Sequence, residues 1–347
     1  MKKLDITARR TLVFALLLTV SNLVFSQTLI NRPNTYVNEN CNGYVEFLPG
    51  SYNNNTDKYP LLIYFHGNSQ FGPGTDSSLQ LVRDLGPNFW INVWLDPANS
   101  WLPFPGIEHL SKMVMISPQF IGPDIYTNPP TIDQMNSVID YACTHYRIDR
   151  SRVYVSGTSL GGAFVMDYAA IHPYRVAAIV PFATAAGPYQ PWADSMASSN
   201  LPIWMFHNLY DNVVSSWSTT NWIPMLNNPT APIPPPNPLA YATFPPIVGH
   251  WYDDTYRGVD TATNGLNMNM YKWMLQYSRP DYFLGGYGSS WENPANWSYN
   301  AVPDESTEAV LNYGPVVINS NAACKKITVR QGVSLTVNSG FSLKVKK

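Results

Sequence analysis

Charge is scarce in this sequence. Only 13% of its 347 residues are Asp, Glu, Lys or Arg, and the formal net charge at pH 7 is −2. A nucleic-acid partner would favour a basic patch, so we expect no such partner. Hydrophobic residues make up 45% of the chain, which favours a large buried core and excludes a disordered chain.

Cysteine is also rare, with Cys41, Cys143 and Cys324 as the three residues of this type. The odd number excludes complete pairing in disulfides, and none of the three has the spacing of a metal-ligand motif. Cys143 lies on an apolar helical stripe, which predicts a thiol in the core. Cys41 and Cys324 could pair across domains, and the sequence leaves this open. We expect neither a metal nor an organic cofactor.

Long apolar runs are missing except near residue 11. The first ten residues are basic, and an apolar run with small residues at its ends covers 11–25. This pattern is typical of a cleaved secretory signal, and the run is shorter than the roughly 20 apolar residues that a spanning helix needs. We therefore predict a signal peptide over 1–26 and a secreted protein, with a membrane anchor as the alternative. Removing its four basic residues and one acid takes the net charge from −2 to −5.

Strand and helix patterns alternate from 36 to 277. Short apolar runs predict buried strands at 43–48, 59–67, 112–118, 152–156, 176–180, 201–206 and 240–244. Three- and four-residue apolar spacing predicts helices at 77–85, 131–146, 160–171 and 264–277. The rest of 71–109, together with 208–239, is rich in Pro, Gly, Asn or Trp and is predicted as loop. This alternation predicts a mostly parallel sheet with helices on both faces.

The pattern changes near Arg279 and Pro280. Short alternating runs without helical periodicity predict a small all-β module over 280–347, after a larger domain over 27–279. Segments 332–337 and 340–345 look like two copies of one rung, eight residues apart. A stacked β-solenoid and a small sandwich are both compatible with this repeat. The last run is strand-like, so the module could be incomplete.

The stretch Gly157-Thr-Ser-Leu-Gly161 lies between a predicted strand and a predicted helix. A nucleophilic serine on such a sharp turn needs small residues two positions before and after it, because the backbone there is strained. Gly157 and Gly161 meet this requirement. The turn would lift the Ser159 hydroxyl clear of the sheet and point the helix N-terminus at a developing oxyanion. The alternative is a serine in an ordinary glycine-rich corner.

A serine hydroxyl is a weak nucleophile at neutral pH, so it needs a base and an acid that orients the base. The expected chain order after such an elbow is Ser, then Asp or Glu, then His. His250 lies in a loop before the last predicted helix and is the candidate base. Asp211 follows the strand that ends at Phe206 and is the candidate acid. Asp253 and Asp254 are too close in sequence to His250, and we expect them to cap or to exchange charge at the surface.

An oxyanion hole needs two main-chain N–H donors. One is expected from Leu160, directly after the serine, and the other from Asn68 or Gly67, after the early strand. The remaining histidines near these segments have other expected roles. His66 is predicted to bond its own loop, and structural roles are also predicted for His172 and His207, with His207 able to shape the acid loop.

These segments occur in the order found in α/β-hydrolases. The matching stretches are 61–67, 116–119, 147–162, 202–207 with Asp211, and 249–250. Over 36–277 the chain resembles secreted esterases related to phospholipase/carboxylesterases, to polyhydroxybutyrate-depolymerase-like and feruloyl-esterase-like enzymes, and to relatives described as predicted peptidases. The resemblance implies an eight-stranded type of sheet and a serine esterase mechanism, with Ser159, Asp211 and His250 as the triad.

The chain departs from these relatives at two places. Residues 68–72, Asn-Ser-Gln-Phe-Gly, stand where relatives commonly have a glycine-rich acidic-basic pair, and Asn208 follows His207 where they usually have glycine. The segment 280–347 loosely resembles β-rich modules of surface proteins from gliding or polysaccharide-degrading bacteria.

These observations predict a secreted serine hydrolase that cleaves carboxylic esters. The export signal, the aromatic-rich segment 71–105 and the β module suggest acyl or feruloyl esters on plant polysaccharide as substrates. A peptidase is one alternative, because the same triad serves both reactions. The other is an inactive surface protein in which the aromatic residues and the β module bind glycans or a cell surface.

Overall fold

A computed structural model of the chain describes residues 27–99, 101–122, 128–259 and 266–346. The predicted signal peptide lies outside the described residues. The larger domain is built on strands Thr28–Arg32 (β1), Cys41–Leu48 (β2), Tyr59–Phe65 (β3), Val114–Phe120 (β4), Ile148–Thr158 (β5), Ala178–Phe182 (β6), Trp204–Phe206 (β7) and Tyr241–Thr243 (β8). They form one eight-stranded sheet in the order β1-β2-β4-β3-β5-β6-β7-β8.

Most neighbours in this sheet are parallel. Only the pairs β1/β2 and β2/β4 are antiparallel among the described strands, and pairing from β4 through β8 is parallel. The prediction of a mostly parallel sheet is therefore confirmed. Because parallel strands all end at the same edge, the segments that follow β3, β5, β7 and β8 come together there. These segments contain Gly67, Ser159, Asp211 and His250.

Helices cover both faces of the sheet, as predicted. They are Asp76–Arg83 (α1), Gly86–Leu95 (α2), Ile107–Leu110 (α3), Ile132–His145 (α4), Leu160–Ile171 (α5), Gln190–Ser198 (α6), Trp217–Asn227 (α7), Asp253–Arg257 (α8) and Met270–Met274 (α9). Alternate residues of a strand point to opposite faces. Leu61 and Ile63 therefore pack in the core with α4 to α7, whereas Leu62 packs in the core with α1, α2, α8 and α9.

Several predictions of helix and loop were wrong. α2, α7 and all but the last residue of α3 lie in segments predicted as loops. The predicted helix 264–277 is limited, in the described part, to Met270–Met274. In α7, Pro224 removes a main-chain N–H, but Trp222 and Leu226 are buried in the core on the same helix. Tertiary packing thus outweighs a local signal that argued against a helix.

The C-terminal module consists of Asp281–Phe283 (β9), Glu308–Leu311 (β10), Val316–Ile318 (β11), Ala322–Cys324 (β12), Lys326–Val329 (β13), Leu335–Val337 (β14) and Leu343–Val345 (β15). β10 pairs with β9 and β13, β11 with β14, and β12 with β15, and each of these pairs is parallel. Successive coils of the chain stack in this way in a solenoid. The sandwich alternative, which needs antiparallel neighbours, is wrong.

The module contacts the larger domain through two arginines, the half-buried Arg150 and the buried Arg175. Arg150 donates to the carbonyl of Tyr299, and Arg175 donates to the carbonyl of Ser298, each with a donor–acceptor distance of 3.0 Å. The cysteines make no disulfide: all three are free, including Cys41 and Cys324, so the pairing left open by the sequence is not formed. Cys143 packs against the core, as predicted. Within the described residues, no helix has the length and apolar character needed to cross a bilayer.

Candidate active site

Ser159 occupies a sharp turn between a strand and a helix. β5 ends at Thr158 and α5 begins at Leu160, so the serine stands alone between the two elements. Its φ of 61° and ψ of −117° place it in a region that residues with a side chain rarely adopt. The predicted strand–turn–helix context is confirmed, and the half-buried serine is held in a strained conformation.

The two flanking glycines allow close approach of the backbone. A Cβ atom on Gly161 would lie 2.1 Å from the carbonyl oxygen of Phe65, and one on Gly157 would lie 2.6 Å from the carbonyl oxygen of Gly161. Neither position has room for a side chain. The sequence requirement for small residues at these two positions therefore has a direct steric cause, since α5 begins against the end of β3.

Asp211 and His250 form a hydrogen-bonded pair. Nδ1 of His250 lies 2.6 Å from Oδ2 of Asp211. The other carboxylate oxygen accepts the main-chain N–H groups of Val213 and Val214, at 2.8 and 2.9 Å. Burial of this carboxylate raises its pKa, but the hydrogen bonds from His250 and the two N–H groups outweigh that effect and the net pKa is lowered. Asp211 is thus held as a carboxylate at neutral pH.

The second ring nitrogen of His250 is placed to act as an acceptor. Nδ1 faces a carboxylate, which only accepts hydrogen bonds, so the ring proton of neutral His250 is on Nδ1 and the lone pair is on Nε2. Nε2 is buried and has no hydrogen-bond partner among the described residues. An imidazole in this tautomer can take a proton from a hydroxyl group that comes within reach.

Asn208 and Tyr252 hold this pair, and the sequence analysis gave neither a role. The Asn208 side chain donates to the carbonyls of Gly249 and Trp251, at 2.9 and 2.8 Å, which are the residues on either side of His250. The Asn208 main-chain N–H donates to the Tyr252 hydroxyl. That hydroxyl in turn donates to the Asp211 carboxylate at a distance of 3.1 Å. The replacement of glycine by Asn208 was the one sequence signal for this arrangement.

Phe182 links the serine turn to the histidine loop. The carbonyl of Phe182 accepts the N–H of Ser159 at 2.9 Å, and its ring lies 5.4 Å from that of Tyr252 and 4.7 Å from that of Tyr256. Thr158, directly before the serine, is hydrogen-bonded to the hydroxyl of Tyr256. The structure therefore brings the serine turn and the segment around His250 together at one edge of the sheet.

The predicted oxyanion donors lie at or near Ser159. Leu160 is the first residue of α5, where an N–H has no carbonyl partner within the helix. A Cβ atom built on Gly67 would be 3.7 Å from the Cβ of Ser159, so the main chain after β3 runs alongside the serine. Asn68 follows at the start of a 3₁₀ turn, Asn68–Gln70, and its side chain is exposed.

His66 is structural, as predicted. Its Nε2 accepts the N–H of Phe120 at 3.0 Å, and its Nδ1 donates to the carbonyl of Gly67 at 2.7 Å. Burial lowers its pKa to about 4, although the bond to Gly67 opposes this shift. The neutral ring thereby fixes the segment that enters the site after β3.

His207 is also structural and shapes the acid loop. The ring is fully buried, with Nδ1 bonded to the Thr219 hydroxyl at 2.8 Å and Nε2 donating to the carbonyl of Val214 at 3.0 Å. His172 lies at the end of α5 with its ring 5.2 Å from that of Tyr168. Both observations agree with the structural roles predicted for these histidines.

The two competing acids make other contacts. Asp253 accepts a hydrogen bond from the indole N–H of Trp90 at 2.9 Å, and Asp254 forms an ion pair with Arg257 at 2.5 Å. The predicted exchange of charge at the surface is confirmed for Asp254. In the described ranges, no group of three or more His, Cys, Asp and Glu side chains is placed to hold a metal ion.

The comparisons with known proteins found similarity among solved structures. No family model matches the sequence, and no curated protein matches it. A thermostable esterase of known structure has a TM-score of 0.50 and 20% identity, over 74% of this chain and 64% of that one. This chain therefore spans less than two thirds of that esterase's length.

Two further solved structures are similar at lower scores. A ferulic acid esterase has a TM-score of 0.48 and 14% identity over 70% of this chain and 98% of its own. A feruloyl esterase module from Clostridium thermocellum, complexed with sinapinate, has a TM-score of 0.48 and 15% identity over 70% of this chain and 88% of its own. Identity at this level speaks to fold alone. Sheet order, the serine turn and the similarity to the thermostable esterase structure together confirm the fold implied by the motifs: the chain has the α/β-hydrolase fold.

Proposed function

We propose that this protein is a serine hydrolase that cleaves carboxylic esters through an acyl-enzyme, with Ser159 as nucleophile, His250 as base and Asp211 as the acid that orients the base. The observation that carries the proposal is the buried hydrogen bond from His250 to Asp211. It leaves the basic nitrogen of the ring unpartnered among the described residues, while Ser159 stands on a strained turn.

Each step of the reaction has a group to perform it. Nε2 of His250 takes the proton from the Ser159 hydroxyl as its oxygen attacks the ester carbonyl. The N–H groups of Leu160 and of Gly67 or Asn68 stabilise the negative oxygen that forms. His250 then gives the proton to the leaving alcohol, and water hydrolyses the acyl-serine by the same route. Asp211 stays ionised and stabilises the charged ring.

The substrates that we propose are acyl or feruloyl esters carried on polysaccharide, cleaved by a secreted enzyme. The signal-like pattern over 1–26 supports export. Exposed aromatic side chains on the two loops that carry Asp211 and His250 support a large substrate: Tyr210, Trp217 and Trp251 are 56%, 62% and 67% exposed. Contact of the C-terminal module with a glycan or a cell surface is a further part of this proposal.

A fluorophosphonate probe tests the proposed mechanism, because it phosphonylates an activated serine. We expect labelling at Ser159, and hydrolysis of p-nitrophenyl acetate that falls by about 10⁶-fold in Ser159→Ala. Ser198→Ala, which removes an exposed serine of α6, serves as control and should label and turn over normally. Absence of labelling would reject the mechanism and favour an inactive binding protein. Faster cleavage of short peptides than of acetyl or feruloyl esters would instead indicate a peptidase.

A further inference from the structure

A cavity of about 340 Å³ adjoins the loop that carries His250. Two tryptophans border it: Trp90 from α2, and Trp251, which directly follows His250 in the chain. Trp251 is 67% exposed, so a large part of its surface is available to a ligand. Since Asn208 fixes the carbonyl of Trp251, the cavity is held in place relative to His250.

The other side of the cavity is polar, and its groups are bonded to one another. The Asp253 carboxylate accepts the indole N–H of Trp90, while the guanidinium of Arg257 lies 4.6 Å from the centre of the Trp90 ring and pairs with Asp254. Each carboxylate uses one oxygen in these contacts. Within the described part of the chain, no hydrogen bond uses the second oxygen of either one.

The tryptophan side and the charged side of the cavity together favour some classes of ligand over others. An acyl chain would satisfy the tryptophans but would remove two carboxylates and a guanidinium from water without replacing their hydrogen bonds, which is costly. An anion would face two carboxylates against one guanidinium. A neutral sugar ring has an apolar C–H face that packs on an indole and hydroxyl groups that donate to carboxylates, so it fits both walls.

The surrounding loops are also uncharged at their surface. Segments 209–217 and 245–251 contain one Asp, Glu, Lys or Arg, which is Asp211, and its side chain is fully buried. Neither loop has a Lys or Arg side chain that could attract an acidic polymer. Tyr210, beside Asp211, and Trp217, at the start of α7, add exposed aromatic rings to the segment that carries Asp211.

We propose that Trp251, with the cavity it borders beside Trp90 and Asp253, binds a neutral sugar unit of the substrate's carbohydrate portion. This inference rests on the proposed function, because it assigns the sugar to the same molecule as the scissile ester. Asn208 borders the cavity and bonds the residues on either side of His250, so a sugar held there lies against the loop that carries the proposed base. The chain's preference is then for esters on uncharged polysaccharide and not on acidic pectin-like chains.

Calorimetric titration of the full chain carrying Ser159→Ala tests the site without turnover. The probes are cellohexaose, xylohexaose and hexagalacturonate. We expect one or both neutral oligosaccharides to bind more tightly than the galacturonate. In the same background, Trp251→Ala should raise the Kd of the neutral ligand by about tenfold, and Asp253→Asn should raise it while keeping an acceptor for Trp90. Tyr36→Ala, which removes a 67% exposed aromatic ring between β1 and β2, should leave the Kd unchanged.

Three results would overturn this assignment. The first is no binding of either neutral oligosaccharide at about 10 mM, a concentration that detects even very weak sites. The second is an unchanged Kd in Trp251→Ala. The third is decanoate binding that is lost in Trp251→Ala, which would make the cavity an acyl-chain site. Fluorophosphonate labelling of the unaltered chain reports separately on the hydrolase: labelling without sugar binding rejects only the subsite, and sugar binding without labelling rejects only the mechanism.

Discussion

Asp211 and His250 are 39 positions apart in the sequence, and their side chains are joined by a hydrogen bond of 2.6 Å. The residues follow neighbouring parallel strands, β7 and β8. Beyond the strands, Tyr210 and Val248 continue the pairing as a bridge, with the N–H of Gly249 donating to the carbonyl of Tyr210 at 3.1 Å. The order of the strands, extended by this bridge, thus sets the distance between the proposed acid and the proposed base.

Replacing the acid should remove most of the activity without unfolding the chain. In Asp211→Asn the side chain keeps its volume but can donate to Nδ1, so the ring proton moves to Nε2 and the ring no longer accepts the serine proton. We expect kcat for p-nitrophenyl acetate to fall by about 10⁴-fold. Asp133→Asn, at an exposed position of α4, is the control. A loss below about tenfold would show that Asp211 does not orient the base.

Asn208 should matter for turnover although it lies behind the histidine. Asn208→Asp keeps the shape but places a carboxylate against the carbonyls of Gly249 and Trp251, which releases the loop around His250. We expect kcat to fall by roughly 10- to 100-fold, with a smaller change in KM.

A matched control for this variant is Asn228→Asp, which removes an exposed side-chain bond to the carbonyl of Pro224. Equal loss of activity in both variants, or a change in KM alone, would contradict the role of Asn208 as a positioning residue. Thermal unfolding of each variant separates loss of positioning from loss of the fold.

His66 should make stability depend on pH on the acidic side. Its pKa is lowered from 6.5 to about 4 in the folded chain, chiefly by burial. Between these values the unfolded chain binds more protons than the folded chain. The contribution of neutral His66 to the free energy of unfolding is therefore complete above pH 6.5 and is lost as the pH falls towards 4. The full effect is at most about 3 kcal/mol. Urea unfolding across this range should show a flatter dependence for His66→Gln than for the exposed control His145→Gln.

Asp281 should act in the opposite sense. It is fully buried at the start of the C-terminal module, Oδ2 has no partner among the described residues, and burial raises its pKa from 3.8 to about 7. Here the folded chain binds more protons than the unfolded chain between these values. The contribution of protonated Asp281 to the free energy of unfolding therefore falls as the pH rises from about 4 to 7. We expect Asp281→Asn to be more stable than the parent at pH 8, by at most about 4 kcal/mol. Equal stability of the two at pH 8 in urea unfolding would disprove the charge penalty.

The local patterns of the sequence predicted the fold class and the serine turn correctly. A β-branched run, two glycines around a Ser and an apolar helix all lie within 152–171, so short-range sterics are enough to define the elbow. Seven of the eight strands of the sheet were found for the same reason, and β1 at Thr28–Arg32 was not predicted. Helix α7 was missed because Trp222 and Leu226 stabilise it through contacts with the core, which a window containing Pro224 does not reveal.

The sequence by itself identified the residues of the proposed triad, because residue type and chain order point to Ser159, Asp211 and His250 as candidates. Only the tertiary structure decided how the pair and its supports are arranged. Asn208 bonds carbonyls 41 and 43 positions away, and Trp90 bonds a carboxylate 163 positions away. Such contacts depend on which strands become neighbours and how the helices between them pack, and no short stretch of sequence specifies that arrangement.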